Sequence, residues 1–541
     1  MRWESRKSEP HGVLRISTVW LQHTADAIAT RNGVLLTDCV ALAEDGGAAE
    51  VPTAEELTHI QTAVHQLHQA LTERVEQTHS SRRESRSEHT EDVKERQLYV
   101  EVMVRVAITG VLANYHRMKS NINNDNNNSN SNGEENNKNS NDNNSKPSQR
   151  YADTLARGLL YAFEVFQEVH TMRRGHYPTH RRGGSTVGTV GWDTLLLLHF
   201  VHRIPRIARD ASESVIDEAT GQIVRSWRKL LQALQVADPH EPPEHSRRRG
   251  ALAVCNGLLS ILFHRYNTHQ CRVLFNAVEQ NERNVGTGND GSKSILRPAQ
   301  HMTAEMITFY YYKGRIMLYD RRFKEAHEAL REAYHLLPPP GEGTEIQQRN
   351  KQRVRFYLTV AGIADGKVVP QEILQRDDLI DYVFTPMLNA AARGDPHAFT
   401  HAVETFSTLL RRRGVYFLLQ RAKLYCFLVL LARTHIALGA CTGVDNSRIP
   451  LSVLTAAYTH ILQEGKSTEK EKTPLKQKTQ KRQRGDDIIE DENVMTDDQM
   501  TWWTAKLIAS GLVRGYISYE HKTIVLSRQA PFPTLAEQSR K

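Results

Sequence analysis

The chain has 541 residues, of which 39% are hydrophobic and 24% are charged, and its formal net charge is +8. This length is sufficient for more than one domain and for a sizeable apolar core. The longest apolar runs, such as residues 194–199, are far shorter than the ~18–20 residues of a spanning helix. The composition therefore favours a soluble protein and excludes a membrane protein. Residues 1–10 are polar, unlike a secretory signal, which predicts a cytosolic or nuclear location.

The residue types used in catalysis and metal binding do not form any recognisable motif. The histidines are dispersed without an HExxH pattern, and the glycine-rich segment 183–188 lacks the lysine and the preceding strand of a phosphate loop. We therefore expect no enzyme activity, cofactor, metal or small-molecule substrate, although a hydrolase within the first 250 residues stays as a third alternative. The cysteines lack a CxxC pair, which predicts reduced and mostly buried thiols at Cys39, Cys255, Cys271, Cys426 and Cys441.

The first 249 residues are predicted to form helices separated by long polar segments. Residues 19–30 carry apolar groups at three-to-four spacing and are followed by the turn signal Asn32–Gly33, so they predict an amphipathic helix. The asparagine- and serine-rich segment 120–148 has almost nothing to bury and is predicted to be a disordered loop insertion. Further helices are predicted at 54–77 and 91–118, and two further breaks at 172–185 and 238–249.

Residues 250–445 are predicted to be a stack of helical hairpins. The first helix, 251–266, is apolar on most sides and is expected to be a central packed helix. In the next hairpin, small residues of one helix oppose aromatic residues of the other, which allows close antiparallel packing as in a tetratricopeptide-type unit. Predicted helices cover 251–266, 270–280, 303–320, 322–337, 351–363, 371–376, 378–393, 396–413 and 415–438, with a polar loop at 281–293.

The pattern changes after residue 445, where two helices are followed by two short β-type segments. Helices are predicted at 450–462 and 496–511, the second with Thr496 or Asp497 as N-cap and Gly511 as C-cap. Residues 512–518 and 522–527 predict a hairpin. Two helices followed by a two-stranded wing predict a winged helix. The domain prediction is 1–119, N-terminal helical region; 120–150, polar insert; 151–249, helical region with basic loops; 250–445, hairpin stack; 446–534, winged helix with a charged disordered insert at 464–495.

Several segments between 250 and 534 resemble one branch of the PCI-domain family. They are IASGLVRGYISYEHKTIVLS at 508–527, APFP at 530–533, ILRPAQHMT at 295–303, YYKGR at 311–315, RFKEA at 322–326 and LRRRGVY at 410–416. That branch contains the PCI subunit of the transcription-and-export complex two (TREX-2) and its signalosome-associated, CSN-twelve-like relative. The asparagine-rich segment, the 281–293 loop and the charged insert depart from the family pattern.

The resemblance implies a mainly α fold, a TPR-like helical solenoid followed by a C-terminal winged helix, and no active site. It implies docking onto a Sac-three/GANP-like scaffold protein, together with a small acidic Sem-one/DSS-one-like subunit. It further implies binding of RNA or double-stranded DNA, a role in coupling transcription to mRNA export, and a location in the nucleus and at the nuclear pore, with a cytoplasmic fraction. The alternative is a protein-only docking subunit of a COP-nine-signalosome- or proteasome-lid-like assembly.

The candidate nucleic-acid-binding residues are lysines and arginines near the C-terminal end, because phosphate contact needs cations on an exposed, rigid edge. Arg514 and Lys522 are expected on paired strands either side of a tight turn, facing one phosphate backbone. The competing interpretation is that these cations are solvated or interact with helix C-termini. Of Trp502 and Trp503, at least one is expected in the core. The full candidate set is Lys506, Arg514, Lys522, Arg528, Arg411, Arg412 and Arg413.

The charged insert between the two C-terminal helices is basic from Lys466 to Arg484 and acidic at 486–492. A basic arm beside a winged helix would strengthen nucleic-acid binding or act as a nuclear-localisation signal. A solvated loop whose charges neutralise one another is the other interpretation.

Overall fold

Helices dominate every part of the chain that the computed structural model describes, which confirms the mainly α prediction. The helices fall into two units, Met1–Tyr312 (unit 1) and Lys313–Lys541 (unit 2). The described residues are 8–11, 14–50, 53, 60–80, 90–129, 147–172, 190–238, 241–242, 245–286, 296, 303–339, 342–367, 369–374, 377–441, 445–470 and 495–533. Most of the basic break 172–185, part of the motif 295–303 and most of the charged insert lie outside them.

Unit 1 contains a short hairpin followed by packed helices. Asn32 caps α2 by accepting the N–H of Leu35, so the predicted turn at 32–33 leads directly from one helix into the next. The elements are β1 (Ser8–His11), β2 (Leu14–Ser17), α1 (Thr18–Thr30), α2 (Gly33–Glu44), α3 (Ile60–Ser80), α4 (Thr90–Ser129), α5 (Pro147–Thr171), α6 (Thr194–Asp210), α7 (Glu213–Gln235), α8 (Ala251–His264), α9 (Thr268–Gly286) and the first part of α10 (Thr303–Tyr319).

The core of unit 1 is built on α8, which is buried on nearly all sides as its apolar sequence predicts. Gly257 of α8 lies directly against Trp227 and Val201, so a larger residue there would overlap with them. Phe163 packs against both Phe200 and Trp227, with ring centroids 5.8 and 5.3 Å away. These contacts join α5, α6, α7 and α8 into one apolar core.

The buried Arg247 of unit 1 is paired with a nearby carboxylate and with carbonyls that are distant in sequence. Arg247 donates to Asp238 at 2.6 Å and to the carbonyls of His170 and Met172 at 2.7 Å. It therefore supplies hydrogen bonds to the C-terminal end of α5, where backbone carbonyls lack helical partners. The predicted break at 238–249 thus contains a buried ion pair. Removing one partner of a buried ion pair destabilises a protein strongly, because the other charge stays buried without compensation. The net contribution of the intact pair to stability is small by comparison.

Unit 2 begins within α10 and contains all remaining elements. Its first hairpin, α10 with α11, has the close approach predicted from small residues, because Gly314 lies directly against the side chain of Leu330. The remaining elements are α11 (Phe323–His335), α12 (Glu345–Ala364), α13 (Gln371–Leu374), α14 (Asp378–Arg393), α15 (Pro396–Thr405), α16 (Ser407–Arg412), α17 (Tyr416–Gly439), β3 (Arg448–Pro450), α18 (Leu451–Lys470), α19 (Asp497–Ala509), β4 (Gly515–Ser518) and β5 (Thr523–Leu526).

Several predicted boundaries are wrong. Helix α4 continues to Ser129, inside the segment predicted to be disordered, and α9 and α18 likewise continue into predicted polar segments. Once a helix exists, each further residue gains one backbone hydrogen bond, so weak helix formers can extend it.

The helix predicted at 396–413 is divided into two at Phe406, which lies between Thr405 and Ser407. The ψ of Phe406 is 14° and departs from helical geometry. Both neighbours are residue types with modest helix propensity.

Two helices are long and apolar enough to cross a bilayer by length and composition. They are Asp92–Lys119 within α4 and Tyr416–Gly439, which is α17. Polar residues interrupt both of them, so the uninterrupted apolar runs of the sequence did not indicate them. In the structure, 61% of the apolar window of the first and 39% of that of the second are buried against other parts of the protein. Core helices of folded proteins meet the same criteria, so the sequence prediction against a membrane protein stays as it was.

Replacing Gly314 with alanine tests the close approach of α10 and α11. The added methyl group would overlap with the branched carbon of Leu330, so we expect destabilisation of about 1–3 kcal/mol. Scanning calorimetry of the full chain should show a lowered unfolding midpoint. The matched control is Gly221→Ala on α7, where the nearest group is the flexible end of Arg225. That change should raise the midpoint slightly, since alanine favours helix by about 1 kcal/mol. Equal effects of both substitutions would contradict this packing.

Candidate nucleic-acid interface

The C-terminal module, residues 445–533, consists of α18, α19 and a three-stranded antiparallel sheet with strand order β3-β5-β4. The two helices and the hairpin predicted there are confirmed, and β3, which was not predicted, completes the sheet. Two hydrogen bonds join the residues on either side of β3 to the hairpin. The Leu451 N–H donates to the Lys522 carbonyl at 2.8 Å, and the Leu526 N–H donates to the Ser447 carbonyl at 2.7 Å. The hairpin is therefore held against the segment that precedes α18.

The sheet has one buried and one outward face. Ile449, Ile524 and Ile517 are directly opposed across the three strands, and the first two are fully buried. The adjacent row consists of Arg448, Val525 and Tyr516. Directly opposed side chains on neighbouring strands point to the same side of a sheet. Arg448 and Tyr516 consequently share the outward face.

The buried face of the sheet belongs to a core that also includes α17. The ring of Phe427 on α17 stacks on Trp503 of α19, with centroids 4.4 Å apart and an interplanar angle of 16°. Phe427 also stacks on Tyr458 of α18, with ring centroids 6.4 Å apart. Leu430 and Leu431 extend this apolar contact. The module is therefore anchored on the long helix that precedes it.

The ends of α19 correspond to the signals in its sequence. The Thr496 hydroxyl accepts the N–H of Gln499, and the Gln499 side chain accepts the N–H of Thr496, which forms a capping box. Of the two N-cap candidates, Thr496 is the observed one. Gly511 follows the helix with a φ of +73°, a conformation that glycine adopts without strain. These caps fix where α19 ends and the hairpin begins.

The two adjacent tryptophans of α19 have different environments, as predicted. Trp503 packs on Phe427, whereas the side chain of Trp502 is 55% exposed. The Lys506 ammonium lies 4.3 Å from the ring centroid of Trp502 and 5.1 Å from that of Trp503. Lys423 of α17 lies 5.7 Å from the Trp503 ring, and burial lowers the pKa of its ammonium group. The structure thus brings Lys506 and Lys423 together on one indole by cation–π contacts.

The three candidate cations of the hairpin lie at its two ends. They are Arg514, Arg528 and Lys522. Arg514 precedes β4, and its carbonyl accepts the N–H of Ser527, so Arg514 lies at the base of the hairpin, next to the chain segment that carries Arg528. Lys522 lies in the turn at the opposite end and has a φ of +46°. The expectation that Arg514 and Lys522 lie on paired strands is wrong, because the strands are shorter than predicted and both residues flank them.

The candidate arginines at 411–413 lie at the end of α16 and contact aromatic rings. The Arg411 guanidinium lies 4.5 Å from the Tyr416 ring centroid, and that of Arg413 lies 5.6 Å from the Phe356 ring centroid. Arg412 is exposed. Two of the three cations thus contact rings of α17 and α12, an arrangement that neither interpretation of the sequence had described.

Sequence reasoning missed Arg448 and the tyrosines of the hairpin. Arg448 lies in a strand of only three residues, too short for an alternating pattern to be visible. Tyr516 and Tyr519 have exposed fractions of 63% and 78%. Their signal was one aromatic residue in the first predicted β segment and one in the predicted turn, both near cations. Strand register, which requires coordinates, shows that Tyr516 and Arg448 belong together.

Asp445 is an acidic residue close to Arg448 and Arg528. Hydrogen bonds from the hydroxyl and N–H of Ser447 hold the pKa of Asp445 below its ordinary value, and Arg528 and Arg448 lower it further. The Arg448 Nε lies 4.0 Å from an Asp445 oxygen. Asp445 thus stays ionised at neutral pH and partly compensates the two arginines.

The hydrolase alternative for the first 250 residues depended on a nucleophile–base pair in a cleft. In unit 1, Asp193 accepts a hydrogen bond from the Tyr99 hydroxyl at 2.5 Å, and its carboxylate lies 2.9 Å from His170 Nδ1. His170 and Asp193 are completely buried, and His170 stacks on Phe166 at 5.3 Å. A cluster closed to solvent in this way serves packing, as expected for most histidines, and does not support the hydrolase alternative.

The cysteines follow the sequence prediction of mostly buried thiols. Cys39, Cys255, Cys271 and Cys426 are buried, and Cys441 is exposed. Burial raises the pKa of Cys39 to about 11 and that of Cys255 to about 12, so both stay protonated thiols. Within the described ranges, histidines, cysteines and carboxylates do not form a group of three or more that could hold a metal ion.

Comparison with known proteins identifies the relatives of this chain. Family models yield no match. The chain is 23% identical over 335 residues to "PCI domain-containing protein 2" of Xenopus laevis, which covers 61% of this chain and 70% of that protein. It is 23% identical over 338 residues to the protein of the same name in Danio rerio, with the same coverage. The chain is a homologue of these PCI-domain proteins.

The second branch suggested by the sequence is also represented among the relatives. The "Protein CSN12 homolog" of Neurospora crassa is 22% identical over 238 residues, which covers 42% of this chain and 45% of that protein. The resemblance to both PCI branches is therefore confirmed. Proteins of both branches are thus similar to this chain, over 61% of its length for the first and 42% for the second.

Replacing Trp503 with alanine tests the anchoring of the C-terminal module on α17. Loss of its stacking on Phe427 leaves a cavity in the core, and we expect destabilisation of about 3 kcal/mol. Trp502→Ala is the matched control, because that side chain is more than half exposed, and it should cost less than about 1 kcal/mol. Thermal unfolding and limited proteolysis of the full chain measure the difference. Similar losses for the two variants would show that the stack is not an anchor.

Proposed function

We propose that this protein is a non-catalytic scaffold and adaptor subunit of a nuclear TREX-2-like complex that couples transcription to mRNA export. In this proposal it binds RNA or DNA through the C-terminal module, which we infer to be a winged helix. It docks onto a Sac-three/GANP-like scaffold, with a small acidic Sem-one/DSS-one-like subunit as the third member. The protein is then expected in the nucleus and at the nuclear pore, with a fraction in the cytoplasm.

The observation that carries the nucleic-acid part is the arrangement of cations around the outward face of the sheet. Arg448 lies on that face, Arg514 and Arg528 lie near the base of the hairpin, and Lys522 lies at its turn. The backbone that carries them is fixed by the hydrogen bonds of the sheet. Cations on a fixed backbone favour phosphate binding, because each contact releases condensed counterions and little backbone order must be gained.

Two carboxylates, Asp445 and Glu520, are close in chain or space to these cations. They reduce the positive potential but do not cancel it, because the arginines and the lysine outnumber them. A modest cationic surface of this kind suits moderate, salt-sensitive binding and not very tight binding. The overall charge of +8 is consistent with this.

The scaffold part is supported by apolar side chains at the surface of unit 2. Phe417 and Ile436 of α17 are 77% and 69% exposed, although α17 is otherwise packed against α12, α14 and α15. Large apolar groups on a rigid helix favour contact with partner proteins. Together with the PCI-domain relatives, they support a role in assembly.

The alternative is a protein-only docking subunit of a signalosome- or proteasome-lid-like assembly. The observation in its favour is the similarity to CSN12 homologues. In that case the C-terminal module would be a docking edge, and its cations would contact acidic protein surfaces. Nucleic-acid binding and the identity of co-purifying proteins separate the two proposals.

Charge reversal at the hairpin tests the nucleic-acid part. The full-length triple variant Arg514→Glu, Lys522→Glu and Arg528→Glu should bind RNA and duplex DNA at least about tenfold more weakly than the unmodified chain. The slope of log affinity against log salt should become shallower by roughly one for each phosphate that the variant no longer neutralises. Fluorescence anisotropy with labelled nucleic acids at several salt concentrations measures both quantities.

The control for this experiment is Arg353→Glu on α12, an exposed arginine of the same unit outside the C-terminal module. It changes the net charge without altering the hairpin, and should reduce affinity less than about twofold. If the single control weakens binding as much as the triple variant does, the contact surface is elsewhere. Absence of binding at low salt favours the protein-only alternative.

Affinity purification of the tagged full-length chain tests the assembly part. We expect a large Sac-three/GANP-like protein and a small acidic subunit to co-purify at a constant ratio. Depletion of the chain should cause polyadenylated RNA to accumulate in the nucleus, as measured by in situ hybridisation. Co-purification of signalosome or proteasome-lid subunits, with unchanged RNA distribution, would refute the export role.

A further inference from the structure

We propose that the outward face of the C-terminal sheet and the adjoining β4–β5 turn bind single-stranded nucleic acid, by stacking unpaired bases on Tyr516 of that face and Tyr519 of the turn. The inference rests on the proposed nucleic-acid function and specifies its ligand. Arg448 and Lys522 would hold the phosphates of the same strand. Of these four residues, Lys522 alone was a candidate from the sequence.

The first step is the exposure of the two tyrosines. Tyr516 is 63% and Tyr519 is 78% exposed, whereas the opposite side of the sheet is closed by buried isoleucines. Tyrosine on a strand or turn of a small domain ordinarily buries much of its ring, since that ring contributes a large apolar area. Two rings left in solvent within four residues of one hairpin therefore indicate a binding surface.

The second step is that the surface is preorganised. Tyr516 lies opposite Val525, and Val525 lies opposite Arg448, so ring and cation are placed across the sheet by strand register. The turn that carries Tyr519 is closed by a hydrogen bond from Lys522 N–H to the Tyr519 carbonyl at 3.3 Å. The Lys522 carbonyl accepts the N–H of Leu451, which ties the turn to the start of α18. Ligand binding therefore orders little additional backbone.

The third step is the proximity of cations to the rings. Lys522 is three residues from Tyr519 in the same turn, and Arg448 is two strands from Tyr516 on the same face. Tyr516 and Tyr519 are separated by at most about 10 Å along the chain, given ~3.3 Å for each extended residue. Rings and cations thus lie within reach of one short strand of nucleic acid. A groove or face that combines cations with exposed aromatic rings is how single strands are held without sequence preference.

The fourth step distinguishes a single strand from a duplex. The faces of paired bases are covered by their neighbours in the stack, so a duplex offers phosphates to the cations but no base to the tyrosines. Unpaired bases can be splayed onto aromatic side chains, and exposed sheets with aromatic residues bind RNA in this way. The tyrosines should therefore contribute to single-strand affinity alone, and the cations to both.

The test compares one labelled single-stranded RNA of about 15 nucleotides with a duplex of the same length, using the full chain. Tyr516→Ala with Tyr519→Ala should weaken single-strand binding by roughly tenfold or more, while duplex affinity changes less than about twofold. Tyr516→Phe with Tyr519→Phe keeps both rings and should keep single-strand affinity within about threefold of that of the unmodified chain. Unchanged duplex affinity of the alanine pair also shows that its hairpin still folds.

The matched control is Tyr382→Ala on α14, a tyrosine that is 69% exposed outside the C-terminal module. It should leave both affinities unchanged. If the alanine pair binds the single strand as tightly as the unmodified chain does, base stacking is refuted while salt-dependent nucleic-acid binding stands. Equal loss of single-strand and duplex affinity would also refute it, because the tyrosines would then support the hairpin and not the bases. Absence of any binding by the unmodified chain would refute the proposed nucleic-acid function itself.

Discussion

The stacking of Phe427 on Trp503 determines how unit 2 is built. Helix α17 packs against α12, α14 and α15 along part of its length, and against α18 and α19 along another part. A single helix therefore contributes to the helical stack and to the core of the C-terminal module. Because the contact is a parallel stack of two large rings at 4.4 Å, it sets both the distance and the orientation of α19. The β4–β5 hairpin follows α19 directly, so the direction of the outward face of the sheet depends on the same contact.

The predictable part of this fold is the part with local signals. Helix α14 is an example: Asp377 caps its first turn, Gly394 follows it with a φ of +75°, and the predicted bounds agree with the observed ones. Helix α19 is another, through Thr496 and Gly511. Features that depend on distant residues were missed. The Arg247–Asp238 pair acquires its role only when α5 ends beside it, and β3 is a strand only because β5 pairs with it. Propensity alone also failed where α4 extends into an asparagine-rich segment.

In the candidate interface, too, local features could be predicted from the sequence and features that depend on distant residues could not. Charge can be recognised in a sequence, so Lys506, Arg514, Lys522 and Arg528 were named from it, together with the arginines at 411–413. Which cations face solvent together is decided by packing and register. Lys506 lies on an indole and Arg411 on a phenol ring, whereas Arg448 joins the hairpin surface across two strands. The family resemblance was carried by short strings of residues around the hairpin. Those strings predict relatives well, but they contain no information on which face of the sheet is exposed.

The dual role of α17 has a consequence for how the chain acquires its structure during synthesis. When α17 is complete, the residues that cover Phe427, Leu430 and Leu431 have not yet been translated, since α18, α19 and the hairpin follow it in sequence. For that interval an apolar stripe of a nearly finished helical stack is open to water, and nascent chains with such stripes tend to aggregate. The charged segment between α18 and α19 lengthens the interval. Folding of this subunit in the cell should therefore depend on chaperones that engage the nascent chain at α17.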